Sequence, residues 1–187
     1  MKRYIRNQAG AALTALAVVM GTVFPSPGMS VVHGASTHTR LTEGTYQLLD
    51  GTAVDGILAR GIDVSHWQGS IDWERVADDD ISFVMLGTRY NGQTDPRFHE
   101  NAQGAARAGV KLGAYIYSYA TDIAMAEAEA DFILDLIKDY PISYPVAFDV
   151  EADVQRPLSP DLLADMINAF CQKIEAAGYH PVLYGHD

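Results

Sequence analysis

Asp149 and Glu151 are the residues from which chemistry is most readily built. They end the apolar stretch Tyr144-Pro145-Val146-Ala147-Phe148-Asp149-Val150-Glu151. Side chains alternate along an extended strand, so residues two apart share a face, with Cα atoms about 6.5–7 Å apart. Two carboxyls that close push their pKa values apart, letting one hold a proton while the other carries charge. That is an acid/base pair. A lone Asp-x-Glu also serves as a cap or half of a surface ion pair, and both readings stand on these residues alone. Asp63 adds a third acid near the end of an earlier β-prone stretch, Gly61-Ile62-Asp63-Val64-Ser65. In parallel α/β folds active sites gather at the C-terminal strand ends. Three acids from two strands can converge there.

The aromatic residues add a second layer. Tyr115, Tyr117 and Tyr119 alternate and share one face. They either line a sugar groove or pack in a barrel interior. Trp67 follows the first strand and is placed to stack on a pyranose ring. Trp73, with Ile71, leads into a helix and is expected in the core. His66 stands beside Trp67, but the histidines show no metal-type spacing. Neither a metal nor a cofactor is expected.

The elements that must position these groups are strongly patterned. After residues 61–65, apolar runs cover 81–86, 111–117, 144–150 and 180–184. Continuous runs of this kind suit parallel strands covered on both faces. Helical patterns lie between them. One runs from Pro96 to Ala108 and closes at Gly109, and another from Ile123 to Lys138. A third opens on Ser159 as N-cap with Pro160 behind it and ends at Gly178. The order β-α-β-α-β-α-β-α-β predicts an α/β fold, either an open doubly wound sheet or a piece of a barrel. No Gly-rich phosphate loop follows the first strand, which argues against a nucleotide site.

Composition narrows the function further. The chain has 187 residues, 48% of them hydrophobic, which suits one globular domain. Its 24 acidic residues against 13 basic ones give a net charge of −11, unsuited to binding nucleic acid. The single cysteine, Cys171, leaves no intramolecular disulfide. Residues 1–30 combine Lys2, Arg3 and Arg6 with an uncharged apolar run from Ala9 to Phe24 and the breakers Pro25, Pro27 and Gly28. They are expected to form a secretory signal peptide, so that the protein is secreted or cell-wall associated. The alternative is an uncleaved membrane anchor. Residues 31–59 are polar, Gly- and Thr-rich, and are expected to be a linker or lead-in to a domain over 60–187.

From Gly61 onward the chain resembles the family 25 glycoside hydrolases, the lysozymes of bacteria and phages. The motifs are Gly61-Ile62-Asp63-Val64-Ser65-His66-Trp67-Gln68-Gly69 with Ile71-Asp72-Trp73, then Gly113-Ala114-Tyr115 with Tyr117-Ser118-Tyr119-Ala120. They continue through Tyr144–Glu151, Phe170-Cys171 and Ala177-Gly178-Tyr179. The resemblance implies a (β/α) barrel that cleaves the β-1,4 bond between N-acetylmuramic acid and N-acetylglucosamine in peptidoglycan, with glycan strands as partner and no protein partner implied. On that resemblance Glu151 is the general acid and Asp149 its partner, orienting the substrate's 2-acetamido group or stabilising positive charge. Asp63 is the further acid. Two departures stand out. Gly87 lies where relatives often carry an arginine, with Arg89 two residues on. Five strands are visible against about eight in a barrel, so the expectation is a partial barrel, incomplete at the C-terminus. A non-catalytic or degenerate cell-wall-binding fragment is the alternative function.

Overall fold

The computed structural model describes residues 58–185, together with the backbone of three strands within residues 38–55. Those strands, β1 (His38–Thr42), β2 (Thr45–Leu48) and β3 (Ala53–Asp55), form an antiparallel sheet in the order β1-β2-β3. The stretch expected to be a linker or lead-in therefore carries regular backbone pairing. Strands of three to five residues are too short to leave a periodic signal in sequence. The expected signal peptide over residues 1–30 lies outside the described residues.

The main sheet has five parallel strands: β4 (Gly61–Val64), β5 (Phe83–Gly87), β8 (Lys111–Tyr117), β9 (Ile142–Asp149) and β10 (Pro181–Tyr184). Between β5 and β8 a small antiparallel hairpin, β6 (Arg89–Tyr90) and β7 (Gln93–Thr94), precedes the second helix. The helices are α1 (Trp73–Asp78), α2 (Phe98–Arg107), α3 (Ile123–Ile137) and α4 (Pro160–Ala176). Their starts follow from local chemistry. Asp72, Asp122 and Ser159 each accept a hydrogen bond from the backbone N–H three residues on, at 3.2, 2.8 and 3.2 Å.

Strand order agrees with the partial barrel that the resemblance implies, and not with the doubly wound sheet that the residue pattern alone leaves open. Across the sheet it runs β4-β5-β8-β9-β10, each new strand adding on the same side. A doubly wound sheet reverses direction; a barrel does not. The packing agrees. Val64, Val84, Leu86, Leu112, Ala114, Ile116, Val146 and Phe148 face one way and form one buried cluster with α1–α4. The alternate residues Phe83, Met85 and Ala147 face the other way, packed with Tyr115 and Tyr144. All the helices thus cover one face, and the other is the concave interior of a barrel segment. Period-2 alternation carries the site onto that interior, because Asp63 and Asp149 share the parity of Met85 and Ala147.

Candidate active site

Register brings the acids together. Asp149 pairs with Tyr117 on β8 and with Tyr184 on β10, at the C-terminal ends of all three strands. Asp63 pairs with Met85, two residues before Gly87, whose own partner is Tyr115. A side chain at Gly87 has no room: its Cβ would lie 2.9 Å from the Tyr115 hydroxyl and 2.9 Å from Ser65 Cβ. Glycine there lets Tyr115 reach across β5 to Ser65, next to Asp63. Tyr115 therefore packs inside the barrel while still bordering the acids. Burial and the neighbouring charge of Asp63 push its hydroxyl well above the usual tyrosine range.

The electrostatics describe one coupled group. Asp149 is buried, at 7% exposure. Burial pushes its carboxyl up to about 7, and the charges of Glu151 and Asp63 add to the effect. Asp63 is raised too, by burial, partly offset by a hydrogen bond from its own backbone. Tyr117 is raised by desolvation and then by Glu151, and Tyr184 by Glu151 first. Glu151 is half-buried and stands beyond the strand, closer to solvent than Asp149. Asp63 Oδ1 and Asp149 Oδ1 are both buried without a hydrogen-bond partner among the described residues. Such atoms are costly in isolation. Here both belong to the interior face of the sheet, at the C-terminal ends of β4 and β9.

The loops that hold this group are cross-braced. The Ser118 N–H donates to the Asp149 carbonyl at 2.8 Å. Gln155, buried in the 3-10 turn Asp153–Gln155, donates to Ser118 Oγ at 3.0 Å and to the Ala120 carbonyl at 3.1 Å. It also accepts from the Ala152 N–H at 3.2 Å, fastening the segment after Glu151 to the end of β8. Arg89 takes no part with the acids. Its Nη2 donates to Glu129 Oε1 and to the Tyr117 carbonyl, both at 2.7 Å. The Tyr119 N–H donates to the same carboxylate oxygen at 3.0 Å. A cavity of about 210 Å³ lies behind this pair, lined by Gly92, Met125 and Phe132 among others, away from the acids.

All six residues singled out from sequence lie at or beside the C-terminal mouth. Asp63, Asp149, Glu151, Tyr115 and Tyr117 act on one another electrostatically. Trp67 stands apart from that group, in the 3-10 turn His66–Gln68 after β4, and is 59% exposed. Trp73 is buried as expected. Sequence reasoning marked Arg89 only as a neighbour of the position where relatives often carry an arginine, and did not mark its partner Glu129, nor Tyr184, Gln155 or Asp95. Only the hairpin left a usable trace, the dipeptide Asn91-Gly92.

Comparison with known proteins matches this geometry to a family. The pattern of the Glycosyl hydrolases family 25 covers residues 62–187. Lysozyme M1 of Streptomyces globisporus is 36% identical over 104 residues, which are 50% of this chain and 34% of that protein. Among solved structures, the bacterial lysozyme of Streptomyces coelicolor superposes with a TM-score of 0.52 at 29% identity, covering 67% of this chain and 61% of that one. The modular autolysin LytC of Streptococcus pneumoniae, solved in complex with a synthetic peptidoglycan ligand, gives 0.60 at 23% identity, covering 82% and 44%. The chain thus spans about a third of the curated relative and less than two thirds of either structure. With the acid cluster at the strand ends and the match over the whole parallel sheet, the chain belongs to the family 25 glycosyl hydrolases.

Proposed function

We propose that this chain hydrolyses peptidoglycan, cleaving the β-1,4 bond between N-acetylmuramic acid and N-acetylglucosamine, with Glu151, Asp149 and Asp63 as its catalytic residues. One observation carries the reading: three acids share one mouth, and one of them keeps its proton up to about pH 7. A glycosidic oxygen leaves only as it gains a proton, so a carboxyl still protonated near neutrality is what the step needs. That proton sits on Asp149, whose carboxyl is pushed up to about 7 by burial and then by the charges of Glu151 and Asp63. Glu151, the more accessible of the two, hands this proton on from Asp149 to the leaving oxygen as the C–O bond breaks, which leaves Asp149 ionised. Positive charge then develops on the sugar, where the remaining carboxylates, Asp149 and Asp63, stabilise it. Water then bonds through its oxygen to the anomeric carbon and returns a proton to the acids, which restores the starting state.

Tyr117 and Tyr119, with ring centroids 5.1 Å apart, border the acids and form the β8 side of the glycan groove. The substrate places the activity outside the cell, in keeping with the signal peptide expected over residues 1–30. The two lysozymes and the autolysin support the same reading.

The test is release of reducing ends and loss of turbidity from purified cell walls. Wild-type protein is expected to clear them, and Glu151→Gln to lose roughly 10²–10⁴-fold in rate while still binding walls. Wall binding without clearing by the wild type would replace the hydrolase with a binding protein.

A further inference from the structure

The β6–β7 hairpin turns two consecutive residues to opposite faces, and both are engaged. Arg89 faces α3 and the end of β8, held by Glu129 and the Tyr117 carbonyl. Tyr90 faces the other way. Its ring centroid lies 3.9 Å from that of His66 and 6.0 Å from that of Trp67, the latter pair nearly perpendicular at 83°. Asn91 and Gly92, with φ of 49° and 75°, make the tight turn between the strands. The hairpin is closed at its base by the Asp95 N–H donating to the Thr88 carbonyl at 3.0 Å.

His66 is fixed from behind. Asp95, 1% exposed, accepts from the His66 N–H at 3.0 Å through Oδ2, and from the Arg97 N–H at 2.8 Å through Oδ1. Oδ2 also lies 2.7 Å from His66 Nδ1. An ionised carboxylate only accepts, so Nδ1 is the protonated nitrogen in that contact. Trp67 and Tyr90 lean on the clamped imidazole from two sides, yet remain 59% and 38% exposed. They stand just beyond the ends of β4 and β5, the two strands nearest Asp63.

We propose that Tyr90 and Trp67 are the two walls of a seat for one pyranose ring of the glycan, with His66, locked by Asp95, as the positioning residue that sets the corner. The proposal rests on the glycan-hydrolase reading and assigns Tyr90 a binding role that the acids do not supply. A pyranose has an apolar C–H face that covers an aromatic ring, and a second ring at right angles bounds its edge. The seat lies on the β4–β5 side of the acids, whereas Tyr117 and Tyr119 lie at the end of β8. A polymer crossing the mouth meets both.

The experiment uses the full 187-residue chain carrying Glu151→Gln, titrated with a soluble tetrasaccharide of alternating N-acetylglucosamine and N-acetylmuramic acid. Of the two tryptophans, Trp73 is buried, so a saturable change in emission reports Trp67. Adding Tyr90→Ala is expected to weaken Kd roughly three- to tenfold, and Tyr90→Phe to change it less than about twofold. In the active enzyme Tyr90→Ala should raise KM with kcat nearly unchanged. An unchanged Kd for Tyr90→Ala, no binding, or binding by calorimetry without an emission change would overturn the seat. Failure of the hydrolase reading shows separately, as intact walls with the wild type.

Discussion

Asp149 and Tyr117 are register partners across β9 and β8, and the residue after Tyr117 donates its N–H to the Asp149 carbonyl at 2.8 Å. The acid is thereby held at the last rung of the sheet, where its carboxyl is buried and meets little water. Its neighbour two residues on is beyond the ladder and more open. One strand end thus creates two different carboxyl environments.

A stability cost follows for Asp149. Its carboxyl is raised from the ordinary 3.8 to about 7, so between these values the folded state binds a proton that the unfolded chain does not. Stability attributable to this group is complete below about pH 4 and declines as pH rises through 7. Asp149→Asn removes the dependence. Urea unfolding at pH 8 should find the variant more stable, on the order of 3 kcal/mol, with the gap closing at pH 4. A constant gap across that range would contradict the raised carboxyl.

Activity should show the same group from the other side. If catalysis needs the proton that Asp149 holds, kcat/KM on cell walls falls as pH rises above about 7. Asp149→Asn lowers the rate and removes the limb near pH 7, because the group that titrates there is gone. A profile whose limb ignores the substitution would place the essential proton elsewhere.

The Arg89–Glu129 pair is an independent brace. Both side chains are largely buried, at 14% and 6% exposure, and the carboxylate also accepts from the Tyr119 N–H. Glu129→Ala leaves a buried cation and an unpaired N–H, and should cost about 3–5 kcal/mol in urea unfolding. Glu129→Gln keeps an acceptor and should cost clearly less. Equal losses for the two variants would mean that packing, rather than the pair, is what Glu129 supplies.

Much of the scaffold was legible in the sequence, for physical reasons. Strands covered on both faces must be apolar throughout, so β5, β8 and β9 announce themselves, and Ser159-Pro160 marks the start of α4. The order of strands was not legible, since it depends on pairings between distant segments; the barrel-type order came only with the fold. The three acids were visible as residue types at strand ends. Which of them is desolvated was not, because burial of Asp149 is set by Tyr117 and Tyr184 on neighbouring strands. Asp95 was invisible for a similar reason: it lies 29 residues from the histidine it clamps. Arg89 sits near the expected arginine position but turns to Glu129.

The account stands or falls on the acids behaving as one unit, and ¹³C NMR titration of the Asp149 side-chain carboxyl tests this without recourse to activity. An apparent pKa of about 7 is predicted for the wild type, moving down when Glu151→Gln removes the neighbouring charge. An ordinary aspartate titration near 4, indifferent to that substitution, would contradict it.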